Sequence, residues 1–543
     1  DGSTVKLAAA PPTGSDYFAV VMGSTVNIGT PSDGTVTTAK LASGAVTTVK
    51  IADDAVTAAK IASGSKLVTT DSQENTVVGI DAGDSFDGTN AVKNTLIGKN
   101  AGTAITTGDD NTAVGRNAYD AGTTGIRNTA IGSGALSGTT TGGNSTAVGY
   151  SALNSNTTGG TNVAVGQNAL FSNTTAGANV AVGNEALRSN TTGSAAAAFG
   201  HNALYSHTTG DKNAAFGSNA AYSTTTGIKN SAFGAYSLNL NTTGSNNTAI
   251  GRSALNNNTT ASNNTAVGNA TLGGNTTGAS NVAVGANALD ANSTGSNNVA
   301  IGYEALSDAN IGNTVAIGYR ALKVNNDTGY QNTAIGYLAL TSNTTGDSNT
   351  AVGREALEAN TTASNNTAVG YNALTANTTG TQNTAVGNQS LDANTSGNYN
   401  VAVGYNALTT NTTAERNTAV GHSALKLNTT GAYNVAVGQG TMNNNTTANN
   451  NTAVGYQALT SNTTAVNNTA IGFEALRNNT TGTFNTALGT EALELNTTGS
   501  NITAIGNYSL ANASTGGSNG NTTAVGAGSG RYATGANNST LIG

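Results

Sequence analysis

Residues 366–382 read N-T-A-V-G-Y-N-A-L-T-A-N-T-T-G-T-Q, and at residue 383 the unit starts again. Its marker glycine falls at Gly98, Gly115, Gly132 and onward in steps of 17 to Gly302, then, after a displaced Gly318, from Gly336 to Gly506. With Gly79, Gly526 and Gly543 there are 28 marker glycines. A fixed period of this kind marks units that cannot bury an apolar face alone and do so by stacking. The central glycine and the N-T-T-G punctuation oppose helices. Seventeen residues suit one coil of a β-solenoid, with two short strands, T-A-V and x-A-L, joined by two turns. The expected fold is therefore all-β, a parallel β-solenoid or β-roll of about 28 coils.

The residue before the marker glycine is apolar in every copy, as at Val114, Ile131, Val148, Phe199, Phe216, Phe233, Val369 and Val403. Where it swells to Phe, the residue two before it shrinks: Phe199 follows Ala197, Phe216 follows Ala214 and Phe233 follows Ser231. Conserved summed volume marks side chains that share one packed space. Residues i and i+2 share a face in a strand and not in a helix. The expectation is that these eight positions belong to a continuous buried column. The alanine between them (Ala198, Ala215, Ala232) then points the other way. A row of Ala there means either a narrow coil or, the favoured reading, close approach of another subunit.

The asparagine of N-T-T recurs in register at Asn156, Asn173, Asn190, Asn343, Asn360 and Asn377. Stacked coils about 4.8 Å apart would turn such a column into an amide ladder. The same residues are N-x-[ST] sequons, so glycosylation is the rival reading. Glycans on every coil would crowd at that spacing, which favours the ladder.

Composition fits a fibre. Only 9% of residues are charged and 5% aromatic, with no Cys and no Trp. A globular chain carries about 25% charge. The net charge of −7 over 543 residues offers no basic face, so nucleic acid is not an expected partner. Without cysteine there are neither disulfides nor thiolate metal sites. The longest apolar run, Tyr17 to Met22, is far too short to span a bilayer. At about 4.8 Å per coil the repeat predicts a rod on the order of 130 Å. One thin coil buries little per residue, so several rods side by side are expected.

The chain is expected to hold three domains: 1–32, the end of a small β attachment module; 33–65, a shaft or linker; and 66–543, the 17-residue-repeat rod. The first holds S-T-V-K-L, Pro11-Pro12 and Y-F-A-V-V-M. The second holds a ten-residue repeat, G-T-V-T-T-A-K-L, G-A-V-T-T-V-K-I and D-A-V-T-A-A-K-I. Its apolar residues recur every five, which is neither helical nor alternating.

These motifs resemble two families. The N-T-A-V-G and V-A-V-G strands are similar to head repeats of trimeric autotransporter adhesins (YadA-like), which implies a left-handed parallel β-roll assembled as a homotrimer. The D-G-T-V-T-T-A-K-L-A segments, after L-A-A-A-P-P-T-G, resemble the shafts of phage tail fibres of the marine-phage type. That implies a virion location and an N-terminal module for attachment.

Chemistry has few candidates. His201, His207 and His422 lack a recurring acidic or cysteine partner at ligand spacing. No G-x-S-x-G, P-loop or calcium-repeat motif occurs. Acidic pairs such as Asp53-Asp54 and Asp109-Asp110 are single events with nothing to split their pKa values. The reading is a structural protein and not an enzyme, with no catalytic residue, metal or cofactor. One exposed aromatic series follows the marker glycine: Tyr303, Tyr319, Tyr337, Tyr371, Tyr405, Tyr456 and Phe473. Such rings stack on host-surface sugars or simply cover neighbouring coils, the second being favoured. The functional expectation is a phage tail fibre supporting host-surface adhesion, with a host glycan or protein as a further partner. The alternative is a cellular adhesin or extracellular filament subunit that polymerises end to end. The S-T-L-I-G at the C-terminal end stays in repeat phase without a cap, which suggests truncation or head-to-tail stacking.

Overall fold

A computed structural model describes residues 69–86, 90–324, 331–512, 520–533 and 538–543. The expected modules at 1–32 and 33–65 lie outside the described residues. The chain divides into two compact units between Ser65 and Lys66, and the described residues belong to the second.

The described strands run in chain order from β1 (Thr69–Thr70) and β2 (Thr76–Val78) to β29 (Thr540–Ile542). A two-residue β1 pairs antiparallel with β2. From β2 onward every strand pairs parallel with the next, T-A-V against T-A-V. Thr112 lies opposite Thr129, Ala113 opposite Ala130 and Val114 opposite Ile131. The result is a parallel β-solenoid with one three-residue strand per coil, and no helix occurs among the described residues. Register survives the spacing errors. The 16-residue step to Gly318 and the 18-residue step to Gly336 cancel, and Val299, Val315 and Thr333 still align. The missing residue and the extra one both fall outside the strand, as solenoid insertions generally do.

The second strand expected at x-A-L is instead a turn. In the coil of Gly370, Asn372 and Leu374 have φ of 53° and 54°, and at the next corner Gln382 has 59°. Left-handed residues at these points bend the chain three times per coil, so no second extended run forms. Asn tolerates this region, which explains its frequency at such corners. Leu does not, and holding it there costs on the order of 1 kcal/mol or more. Full burial of Leu374 offsets this, at roughly 1.5–3 kcal/mol for such a side chain. The backbone bonds continue round the turn: Leu374 N–H donates to Ser390 O at 3.0 Å.

The marker glycine has its own cause. Gly115 sits at φ +138°, and a Cβ there would lie 2.6 Å from the carbonyl oxygen of Gly132. Coil stacking brings backbone against backbone at that edge, which only glycine allows.

The core is narrow. In the coil of residues 366–382 the buried side chains are Asn366, Ala368, Ala373, Leu374 and Asn377. This corrects the expected core column. From β2 to β28 the middle strand residue is the buried one, and both flanking residues face outward. Val114, Val148, Phe216, Val369 and Val403 are therefore half-buried surface residues, and Ile131, Phe199 and Phe233 are 41%, 37% and 38% exposed. The alanine row lies inside its own coil: Ala198, Ala215 and Ala232 are fully buried. The physical reason is space. The strand faces Ala373 and Leu374 across a 17-residue coil, leaving room for a methyl group and no more. The strand alternates as expected, but with its two faces exchanged.

Candidate interaction surface

The interior is held by asparagine. Asn377 Nδ2 donates to Asn360 Oδ1 in the previous coil at 3.0 Å and to Gly380 O in its own at 2.9 Å. Asn360 does the same to Asn343 at 2.8 Å, and Asn190 and Asn173 continue the column to Asn156 at 2.8 and 2.9 Å. All six amides are fully buried. An oligosaccharide cannot be carried by an Asn side chain enclosed in this way, so in the folded coil these sequons are structural.

A second asparagine column escapes the sequence reading. Nδ2 of the N-T-A asparagine Asn366 donates to Gly380 O at 2.9 Å, and its backbone N–H donates to Asn349 Oδ1 at 3.0 Å. The Gly380 carbonyl thus receives two amides of its own coil, Asn366 and Asn377. The signal is present in the recurring Asn349, Asn366, Asn383 and Asn400. Buried amides cost free energy unless fully paired, and here the repeat pairs them coil after coil.

Where the asparagine is absent, the outcome depends on what replaces it: Ala309 leaves Asn292 Oδ1 buried without a partner, whereas a tyrosine takes over the bonds. In the coil of Gly115 the N-T-T position is Gly122 and the usual Leu is Tyr119. The Tyr119 ring fills the vacated space, against which a Cβ on Gly122 would collide. Its hydroxyl donates to Gly125 O at 3.1 Å and accepts from Asn128 Nδ2 at 3.0 Å. Burial pushes the Tyr119 phenol up to about 12, so it stays a neutral donor.

The outer face of the strands continues from β2 to β29. From β2 to β29 the first residue is Thr, Val, Ala or Ser and the third is Val, Ile, Phe or Leu. No charged residue occurs on this face, although charges occur at the corners of many coils. The Phe199, Phe216 and Phe233 rings stack at 4.6 and 4.7 Å between centroids, with interplanar angles of 9° and 5°.

The aromatic series lies on a different side. Its members are 38–47% exposed. Tyr303, Tyr319 and Tyr337 stack at 5.6 and 5.2 Å, and the Arg354 guanidinium sits between Tyr337 and Tyr371 at 5.5 and 5.6 Å. Tyr405 stacks on His422 at 5.2 Å and Tyr456 on Phe473 at 5.3 Å. Each ring is covered on at least one face by a neighbouring aromatic, by His422 or by Arg354, and Tyr319 and Tyr337 are covered on both. The repeated stacking from coil to coil favours mutual cover as the role of these rings. Beside Tyr303, Lys323 and Arg320 reach Glu304 at 2.8 and 2.9 Å. Lys323, with help from Tyr303, holds the Glu304 carboxyl down to about 2.

The three histidines are scattered. His201 and His422 are exposed and His207 is buried. Among the described residues no three His, Asp or Glu side chains converge as a metal site, and no helix is long and apolar enough to cross a membrane. Compared with known protein families and with curated proteins, the chain matches none.

Proposed function

We propose that the chain is a structural fibre protein that assembles side by side with copies of itself, as a homotrimer, through the outer face of its T-A-V strands. The observation that carries this is the volume exchange at Ala197/Phe199, Ala214/Phe216 and Ser231/Phe233. Exchange of this kind belongs to side chains in one packed space. These side chains lie outside their own coil, so the space they share lies between chains.

The partner's chemistry is constrained by repetition. It must be uncharged, apolar and periodic at the coil spacing over some 130 Å. A second copy of this solenoid has that period. The face offers roughly 1,000 Å² per chain from its length and three-residue width, against about 800 Å² per partner in a standard interface. Burying it also relieves the small core of the single coil.

Within this reading the protein is a tail fibre of a phage, extending from the virion and positioning host-adhesion elements. The support is the N-terminal D-G-T-V-T-T-A-K-L-A segments together with the uninterrupted repeat. Sedimentation of the full chain tests the assembly, with three times the monomer mass expected and a monomer contradicting it. Immuno-electron microscopy tests the setting. Label on fibres attached to capsid and tail supports the phage reading, and long polymers free of capsids support a cellular filament in its place.

A further inference from the structure

A face that repeats every coil has a flaw as an interface. Two identical copies can slide by one coil and recover nearly all their contacts, because Thr or Val meets Thr or Val again. Parallel pairing is set in register only by features that do not repeat. Along the outer face the third strand residue alternates mainly between Val and Ile, which differ by one methylene. One feature breaks the pattern strongly: three consecutive coils carry Phe, with Ala, Ala and Ser beside it.

We infer that Phe199, Phe216 and Phe233 form a register pin, a belt that aligns copies of this chain coil for coil. The inference rests on the self-assembly proposed above and concerns the same face. The rings stack within each chain and so move as one block. The reduced neighbours Ala197, Ala214 and Ser231 leave room beside the rings for those of a copy at the same level. Above and below, Val182 with Val180 and Ile250 with Thr248 provide no such room. A slip of one coil drives one ring per chain against a full-sized neighbour, and a slip of three coils does so for all three. The penalty therefore rises with the slip until the belts have passed each other. A single polar residue fixes coiled-coil register by the same logic, as a lone departure from a monotonous seam.

The sequence makes the test clean, because it contains no cysteine. Val369→Cys and Val403→Cys lie two coils apart on the outer face. Full-length chains carrying one or the other, coexpressed and oxidised to disulfides, report register directly, because a disulfide needs Cα atoms within about 7 Å and two coils lie about 10 Å apart. Equal-level cross-links form between like variants in aligned copies, and Val369-to-Val403 cross-links form only in copies slipped by two coils. With the native belt, equal-level products alone are expected. In the background Phe199→Val, Phe216→Val, Phe233→Val, Ala197→Thr, Ala214→Thr and Ser231→Thr, which gives these coils the common pattern, offset products should rise to a comparable yield while sedimentation mass stays unchanged. Strict alignment without the belt, or offset products with it, overturns the register pin. A monomeric mass for the native chain overturns the assembly reading itself, and the two failures are read by different instruments.

Discussion

Nδ1 of His207 lies 2.9 Å from Oδ1 of Asn190, so a histidine occupies a rung of the asparagine ladder. On its other side Nε2 lies 3.1 Å from Nδ2 of Asn213. Asn190 Oδ1 only accepts and Asn213 Nδ2 only donates, which fixes the neutral tautomer with the proton on Nδ1. One ring therefore joins the two asparagine columns.

Protonation would place Nε2–H against the Asn213 amide. Burial, opposed by the Gly210 backbone and by Asp211, lowers the His207 pKa to about 4. An unfolded histidine titrates near 6.5, so between these values the unfolded chain binds a proton that the folded one refuses. Stability is then fully present above about 6.5 and falls with pH down to about 4, by on the order of 3 kcal/mol. His207→Asn restores the common rung. Thermal unfolding of the two proteins at pH 7 and pH 4 should show a smaller acid loss in the variant, and equal losses would refute the assignment.

Asn377→Ala removes the donor to Asn360 Oδ1 and one of the two donors to Gly380 O, and leaves Asn394 Nδ2 without its ladder acceptor. An orphaned buried polar group costs about 1–3 kcal/mol. Because each coil touches only its neighbours, the loss should be local. Hydrogen exchange is expected to speed up in the coils of Gly353, Gly370 and Gly387 and to stay unchanged near Gly166. Uniform acceleration along the rod would contradict a ladder of local bonds.

Tyr119 and Gly122 form an exchangeable pair. Tyr119→Leu alone leaves a cavity and deprives the Gly125 carbonyl of its hydroxyl donor, at a cost of about 2–4 kcal/mol. Gly122→Asn alone collides with the ring. The double variant recreates the common coil and should lie within about 1 kcal/mol of the native protein. Denaturant unfolding of all four proteins measures the coupling. Additive losses would mean that the two positions do not share one space.

The sequence carries much of this architecture, and the reasons for the rest are physical. Period 17 shows in the glycines because backbone meets backbone at Gly115 and its copies. The N-T-T ladder is legible because Asn156, Asn173 and Asn190 recur where any polar residue would suit a free surface. The second strand is misplaced because Leu374 in a left-handed turn contradicts its propensity, and its burial alone overrides that. The two faces are exchanged because Ala and Val both pass as core residues. Only the coil's internal width, which comes from three corners in 17 residues, decides that Ala goes in. Volume exchange at Phe199 is visible, but whether it reports a core or a contact between chains depends on that width.

Ala368 and Val369 are adjacent, and they separate the inside of the coil from its outside. Ala368 is fully buried opposite Ala373 and Leu374, and Val369 is half-buried on the outer face. Ala368→Val adds two methyl groups to a filled space, and overpacking of that kind costs about 1–3 kcal/mol. Its effect should fall on the unfolding of the coil and be independent of protein concentration. Val369→Glu places a charge on the uncharged face, where a partner copy would bury it without a counter-charge. Its effect should fall on association, with the mass by sedimentation dropping toward the monomer at low micromolar concentration while the circular dichroism of the rod persists. Had the valine faced inward, Val369→Glu would unfold the coil and Ala368→Val would be silent, the reverse of both expectations.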